Sequence, residues 1–518
     1  MAKKAGNKAD LGKYLTDRNI FILLFIASLA LRIIFVNEGI PHFDSIADAN
    51  KAPLTISTGK LQYSYGYGSP GIVVLLTAAY YVDHLVRGAT NAEFAYFFIT
   101  LVTAALSISV LYLVAKKITG DRLIGIFSAV LFCVTPIYLS VTTYPKTHGP
   151  GEFFSLLAGY YLLRAADKGN DELKNIIISG LLFSFAISIR VFSFFYIIPF
   201  LIFYANPMIV SGKKISFNKG ILDKKNIFWF LFSVLIIVFI LFIPRLLEVG
   251  AGGFINILLG ERKTVAWQGA MSDRLSFALS QLHRSVTWLG WAAGALGIYY
   301  LYRKNKVALA ALAVWFFMFF IYFGNLRGVE ARFLTSALIA ILILAACGCK
   351  LLYNSNRILG LAVVIGLVVW MFTTIYPVLE YRHNYSGQKE FALWAGSMTE
   401  PNSILISTDE GFFYEFYTGK KFIGHYYSGS DDEIANFIDI LHNYLQKGVP
   451  VYMAQSGIGY DPDGRFTKEL LKNFDVYVVG SKTNEAYSQN TLQLQLYDEK
   501  LFKLVEKSNP NGANQQIQ

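Results

Sequence analysis

Residues 39–71 read GIPHFDSIADANKAPLTISTGKLQYSYGYGSPG. They follow an apolar run, IFILLFIASLALRIIFV (20–36), and lead into a second, GIVVLLTAAYYVDHLV (71–86). A run of about 20 apolar residues is long enough to cross a bilayer as a helix. The polar, Gly- and Tyr-rich segment therefore reads as a loop emerging from a first membrane span. Lys3, Lys4, Lys8, Lys13 and Arg18 precede that span and no small-residue cleavage site follows it. The pattern predicts a retained first helix with a cytoplasmic N-terminus, and places the 39–71 loop on the outer side.

The rest of the chain supports this reading. Of 518 residues, 54% are hydrophobic and 16% aromatic, while only 16% are charged. A soluble core could not hide that much apolar surface, and a disordered chain needs the opposite balance. The net charge of +11 does not mark a nucleic-acid binder, because the basic residues sit in short clusters between apolar runs. Further spans are expected at 93–115, 123–142, 151–165, 175–190, 192–206, 227–243, 287–302, 307–323, 333–352 and 357–377, eleven in all with the first. Counting 71–86 as an interfacial helix keeps the basic loops, such as Lys116-Lys117 and Lys213-Lys214, in the cytoplasm. Cys133, Cys347 and Cys349 lie in or at the end of apolar segments and form neither a disulfide framework nor a zinc site.

Beyond Pro377 the composition turns polar and mixed. Short apolar runs at 403–406, 451–453 and 476–479 alternate with helical stretches at 432–446 and 466–474. The expected organisation is a polytopic α-helical membrane domain over 1–377, a small extracytoplasmic α/β domain over 378–507, and a disordered tail over 508–518.

Within the first loop, Asp44 and Asp48 share one face if the segment is helical. A carboxylate at the membrane–water boundary gains basicity by partial desolvation and suits general-base work. Capping a helix is the alternative role for Asp44. His42, Asp44 and Asp48 are also hard or borderline metal donors, but their spacing matches no closed metal site. No cofactor is expected, a divalent metal near Asp44 being the alternative. The alternating Tyr63, Tyr65 and Tyr67 can stack on a sugar ring or form an interfacial aromatic belt.

The order of span, outer-loop Asp44, aromatic loop, Pro70 and interfacial helix resembles the GT-C membrane glycosyltransferases, in the branch of the protein O-mannosyltransferases and lipid A aminoarabinose transferases. PKTHGPGEFFSLLAGYYLLRAAD (145–167) is similar to that family's second outer loop and next span. GLLFSFAISIRVFSFFYIIPFLI (180–202) is similar to its paired short spans, and Val329-Glu330-Ala331-Arg332-Phe333-Leu334 to the start of a late one. The resemblance implies an inverting glycosyl transfer from a polyprenyl-phosphate sugar to a hydroxyl-bearing protein, lipid or glycan, on the extracytoplasmic face. By that resemblance Asp44 is the general base, and Arg190 and Arg332 bind the donor phosphate. His42, Asp48, Tyr65, His148, Glu152 and Glu330 are then substrate-positioning candidates. Snorkelling to the interface is the alternative for each arginine. Ser45 follows Asp44 where some relatives carry a second acidic residue. An oligosaccharyltransferase would be expected to carry a Trp-Trp-Asp run, which this chain lacks. A lipid or glycan transporter would show internal repeats and mid-span charges, of which there is little sign. A prokaryotic plasma membrane is the expected location.

Overall fold

The structure, a computed structural model, describes residues 16–63, 69–88, 91–167, 171–205, 223–260, 270–324, 330–424, 430–459, 461, 463–485 and 492–507. The chain divides into two compact units. One comprises Met1–Val36, Lys51–Glu380 and Gln489–Gln493; the other comprises Asn37–Asn50, Tyr381–Ser488 and Leu494–Gln518.

The first unit is helical. Its described helices are α1 (Asp17–Ile34), α2 (Phe43–Thr58, which begins in the second unit), α3 (Pro70–Arg87), α4 (Ala92–Thr119), α5 (Arg122–Val134) and α6 (Pro136–Thr142). They continue as α7 (His148–Ala165), α8 (Glu172–Ile189), α9 (Ile197–Ala205), α10 (Lys224–Gly260), α11 (Met271–Lys304), α12 (Lys306–Gly324), α13 (Thr335–Ser355) and α14 (Arg357–Asn384). Side chains close the exposed amides where helices begin. Asn91 Oδ1 accepts from the Phe94 amide at 3.0 Å, and Asp121 Oδ1 accepts from Leu123 and Ile124 at 2.8 and 3.2 Å. Pro136 has no amide hydrogen to extend α5, so α6 leaves it at 60°.

Among the described residues, six helices are long and apolar enough to cross a membrane: Ala92–Thr119, Glu172–Ile189, Lys224–Gly250, Lys306–Gly324, Ala331–Ser355 and Arg357–Met398. The bent α5–α6 pair makes a seventh if it counts as one span. The other four expected spans fall on helices that do not meet this measure. The first carries Asp17, Arg18 and Arg32; α7 carries Glu152 and Arg164 over 18 residues. Segment 192–206 is a 3-10 turn (Val191–Tyr196) followed by nine helical residues. Segment 287–302 is the latter part of α11, which kinks at Thr287 (φ 67°).

Buried α13 packs against α11 through small residues. A Cβ on Gly297 would strike the Leu344 carbonyl, and one on Gly348 would strike the Ala293 carbonyl. The two backbones thus approach at a distance only glycine permits, the usual means of joining helices in lipid. Large apolar side chains point outward instead on α10, among them Phe228, Leu231 and Phe232.

The second unit is built on a five-stranded sheet of order β2-β1-β3-β5-β4, with β1 (Ile404–Ser407), β2 (Lys421–Gly424), β3 (Val451–Ala454), β4 (Phe474–Glu485) and β5 (Leu496–Glu506). β1 pairs in parallel with β2 and β3, whereas β5 runs antiparallel to β3 and β4. Alternate residues serve opposite faces. Ile406, Val451, Met453, Phe502 and Leu504 pack under α17 (Asp431–Gln446) and α19 (Arg465–Asn473). Leu405, Tyr452, Ala454 and Leu501 pack under α15 (Gly387–Met398) and α16 (Glu410–Thr418). A one-turn helix, α18 (Ser456–Gly459), follows β3.

Candidate active site

Arg190 ends α8. Its backbone leaves the helix for an extended conformation (φ −142°, ψ 109°), and the 3-10 turn after it brings Tyr196 back toward α7. Glu152, on the first turns of α7, receives three groups from three directions. Arg190 Nη1 lies 3.5 Å from its Oε1, Ser336 Oγ donates to the same oxygen at 2.6 Å, and the Tyr196 hydroxyl donates to Oε2. Glu152 is 1% exposed. A carboxylate so deeply buried needs compensation of this kind, because an unpaired charge is costly to desolvate. Gly151 makes the approach possible: a Cβ there would lie 2.7 Å from Arg190 Cδ.

Arg332, in the 3-10 turn Ala331–Leu334, forms an ion pair with Glu330. Its Nε lies 2.7 Å from Oε2 and its Nη2 donates to Oε1 at 2.9 Å. The guanidinium carbon stands 5.2 Å from the Phe333 ring centroid, and Phe333 stacks on Phe323. His148 opens α7 and is buried, and neither ring nitrogen hydrogen-bonds among the described residues. Arg190, Arg332 and Lys146 all act electrostatically on its ring. Of these three cations, all within the helical unit, Arg190 and Arg332 are each paired with a carboxylate. Arginine's planar fork suits phosphate oxygens, and fixed positive charge stabilises a phosphate leaving group.

His42, Asp44 and Asp48 lie in the second unit. Asp44 and Asp48 are one turn apart on α2, as their spacing predicts. His42 and Asp48 are buried, while the Asp44 side chain is 36% exposed. The Asp44 amide donates to His42 Nδ1 at 3.1 Å, so that nitrogen acts as an acceptor without a proton. Its 3.4 Å approach to Asp44 Oδ2 is accordingly a contact between an acceptor and a carboxylate. Tyr65 and Tyr67 lie outside the described residues. Tyr63 donates its hydroxyl to the Leu241 carbonyl at 2.8 Å, a packing role within the helical unit. Among the described residues, no group of three His, Cys, Asp or Glu side chains is arranged to hold a metal ion.

The structure thus brings together Arg190, Arg332, His148, Glu152 and Glu330. Tyr196 and Ser336 complete the set and escaped the sequence reading, since both sit in apolar runs with nothing in their spacing to single them out.

Comparison with known proteins fits this architecture. Residues 79–247 match the family model for dolichyl-phosphate-mannose-protein mannosyltransferase. ArnT from Cupriavidus metallidurans, solved bound to undecaprenyl phosphate, superposes with a TM-score of 0.62 at 11% identity, covering 95% of this chain and 99% of that one. The archaeal oligosaccharyltransferase AglB from Archaeoglobus fulgidus, solved with an inhibitory peptide and a dolichol-phosphate, gives 0.60 at 13% identity over 94% of this chain and 74% of that one. No curated protein matches by sequence. The chain has the GT-C fold of membrane glycosyltransferases.

Proposed function

We propose that this protein is an inverting glycosyltransferase that moves a monosaccharide from a polyprenyl-phosphate donor to a hydroxyl on a protein, lipid or glycan at the extracytoplasmic face. The observation that carries the reading is the buried cluster around His148, where Arg190 and Arg332 stand beside Glu152 and Glu330 within a GT-C fold. Its supports include the undecaprenyl phosphate bound by ArnT and the dolichol-phosphate bound by AglB.

In the proposed reaction Asp44 removes the proton from the acceptor hydroxyl. The acceptor oxygen attacks the anomeric carbon opposite the phosphate, the bond from that carbon to the phosphate oxygen breaks, and the polyprenyl phosphate leaves with the bonding pair. Arg190 and Arg332 take up the negative charge that develops on the departing phosphate. The carboxylates of Glu152 and Glu330 hold the two guanidinium groups in place before the donor arrives. The location we propose is a prokaryotic plasma membrane, with the N-terminus cytoplasmic and the second unit outside.

The likeness to AglB favours a second reading, transfer of a whole oligosaccharide, although the chain has no Trp-Trp-Asp run. Mass spectrometry of the sugar-phosphate lipids in cells carrying Asp44→Asn tests both. Accumulation of a single-sugar lipid supports the first reading, and accumulation of a glycan-bearing lipid supports the second. An unchanged lipid pool at normal expression would remove Asp44 as the base.

A further inference from the structure

The loop that carries Asp44 belongs to the same compact unit as the C-terminal α/β fold, although more than three hundred residues of helical chain separate them in sequence. The attachment is specific. The Glu38 amide donates to the Arg382 carbonyl at 2.9 Å, and Lys389 Nζ donates to the Glu38 carbonyl and Oε1 at 3.0 and 3.1 Å. Gly39 sits so close that a Cβ would meet Ser386 Oγ at 2.8 Å. The Ile40 amide donates to the Tyr417 hydroxyl at 3.0 Å, and the Ile40 side chain is fully buried.

A stack of rings continues toward Asp44. Phe422 of β2 meets Phe412 of α16 edge to face at 5.0 Å, and Phe412 stacks on Phe43 at 6.1 Å. Phe43 stacks in turn on His42 at 4.9 Å, and His42 Nδ1 accepts the Asp44 amide. Each link fixes the next by packing or by a hydrogen bond, and α2 begins at Phe43, where the stack ends.

We propose that Tyr417 and Phe412 are positioning residues for Asp44, so that the C-terminal unit sets where the base stands. The inference rests on the reading of Asp44 as base. Displacing a reacting group by about 1 Å can cost about a hundredfold in rate, so the loss of one anchor need not unfold the unit to be felt.

The test uses the full-length protein in detergent and compares wild type with Tyr417→Phe, Phe412→Ala and Phe412→Tyr. Hydrogen–deuterium exchange reads the loop without any substrate. Tyr417→Phe is expected to speed exchange of the 40–46 amides about tenfold while strands β1 and β3 keep wild-type protection; unchanged exchange at 40–46 overturns the proposal. The activity arm takes as donor the sugar-phosphate lipid that accumulates in Asp44→Asn cells. Tyr417→Phe and Phe412→Ala should lower kcat about tenfold with donor KM within twofold, and Phe412→Tyr should restore it. In an Asp44→Asn background neither should cause further loss. Wild-type kcat in both variants beside an inactive Asp44→Asn overturns the positioning role and leaves the base intact. If Asp44→Asn retains activity or accumulates no lipid, the base reading fails, and this inference fails with it. Should Phe412→Ala not fold, Tyr417→Phe decides alone.

Discussion

Glu152 Oε1 and Arg190 Nη1 stand 3.5 Å apart at a point where Gly151 leaves just enough room for the arginine stem. The pair joins the first turns of one helix to the end of another, and its geometry depends on a residue with no side chain.

Gly151→Ala therefore tests the arrangement without removing a charge. The added methyl group must push Arg190 aside, since 2.7 Å is closer than a Cβ can stand. Helix propensity itself favours Ala over Gly by about 1 kcal/mol, so a fall in activity would not come from a weakened helix. The expected result is about a tenfold loss of transferase activity in a protein that elutes from size exclusion like wild type.

Arg332→Lys keeps the charge and loses the planar guanidinium whose Nη2 donates to Glu330 Oε1 and whose Nε lies 2.7 Å from Oε2. Lysine presents a compact point charge in place of a planar guanidinium, so the change is not conservative. Donor KM is expected to rise about tenfold and more in Arg332→Ala, measured by titrating the donor lipid at fixed acceptor.

Arg382 and Glu485 form a buried pair in the second unit, with Nη2 donating to Oε1 at 2.6 Å. Removing one partner leaves a buried charge alone, at a cost of about 3–5 kcal/mol, whereas replacing both with apolar groups costs less. Glu485→Leu should lower the thermal unfolding midpoint markedly, and Arg382→Met combined with Glu485→Leu should recover part of the loss. Equal or greater loss in the double variant would rule out this account.

Glu499 supplies the pH dependence. It lies fully buried on β5, where its Oε1 accepts the Ser456 amide at 2.7 Å. Burial, and then the charge of Glu410, push its carboxyl up to about 7. A carboxyl raised on folding binds its proton more tightly in the native state than in the unfolded chain. Its contribution is thus fully present below the ordinary glutamate range near 4.5 and is lost as pH climbs from there through 7. The loss is on the order of 3 kcal/mol at most. Protection of β3 and β5 amides in the full-length protein should fall between pH 5 and 8, and Glu499→Gln should flatten that slope, since the amide oxygen can still accept from Ser456.

What the sequence disclosed was what short-range pattern encodes. Asp44 and Asp48 stand one helical turn apart, and the apolar runs at 403–406, 451–453 and 476–479 fall on β1, β3 and β4. β2 is four residues of half-exposed edge, and β5 (LYDEKLFKLVE) mixes charged with apolar side chains, so neither stood out as a buried strand. The partners of Glu152 were hidden for another reason. Tyr196 and Ser336 reach it across 44 and 184 positions, and helix packing, not local spacing, brings them there. Arg190 and Arg332 drew attention through the family resemblance of the segments that carry them, since a basic residue near a span end is by itself equally a snorkelling side chain.

The moorings of the Asp44 loop bear on how this chain can be re-engineered. A truncation that ends after α14 would keep the helices yet strip residues 37–50 of Tyr417, Phe412 and Lys389. A chimaera that borrows its C-terminal half from another protein would leave the same loop facing a foreign surface. Grafts should therefore exchange 37–50 and 381–507 as a single cassette, two pieces of chain far apart in the gene and inherited as one part.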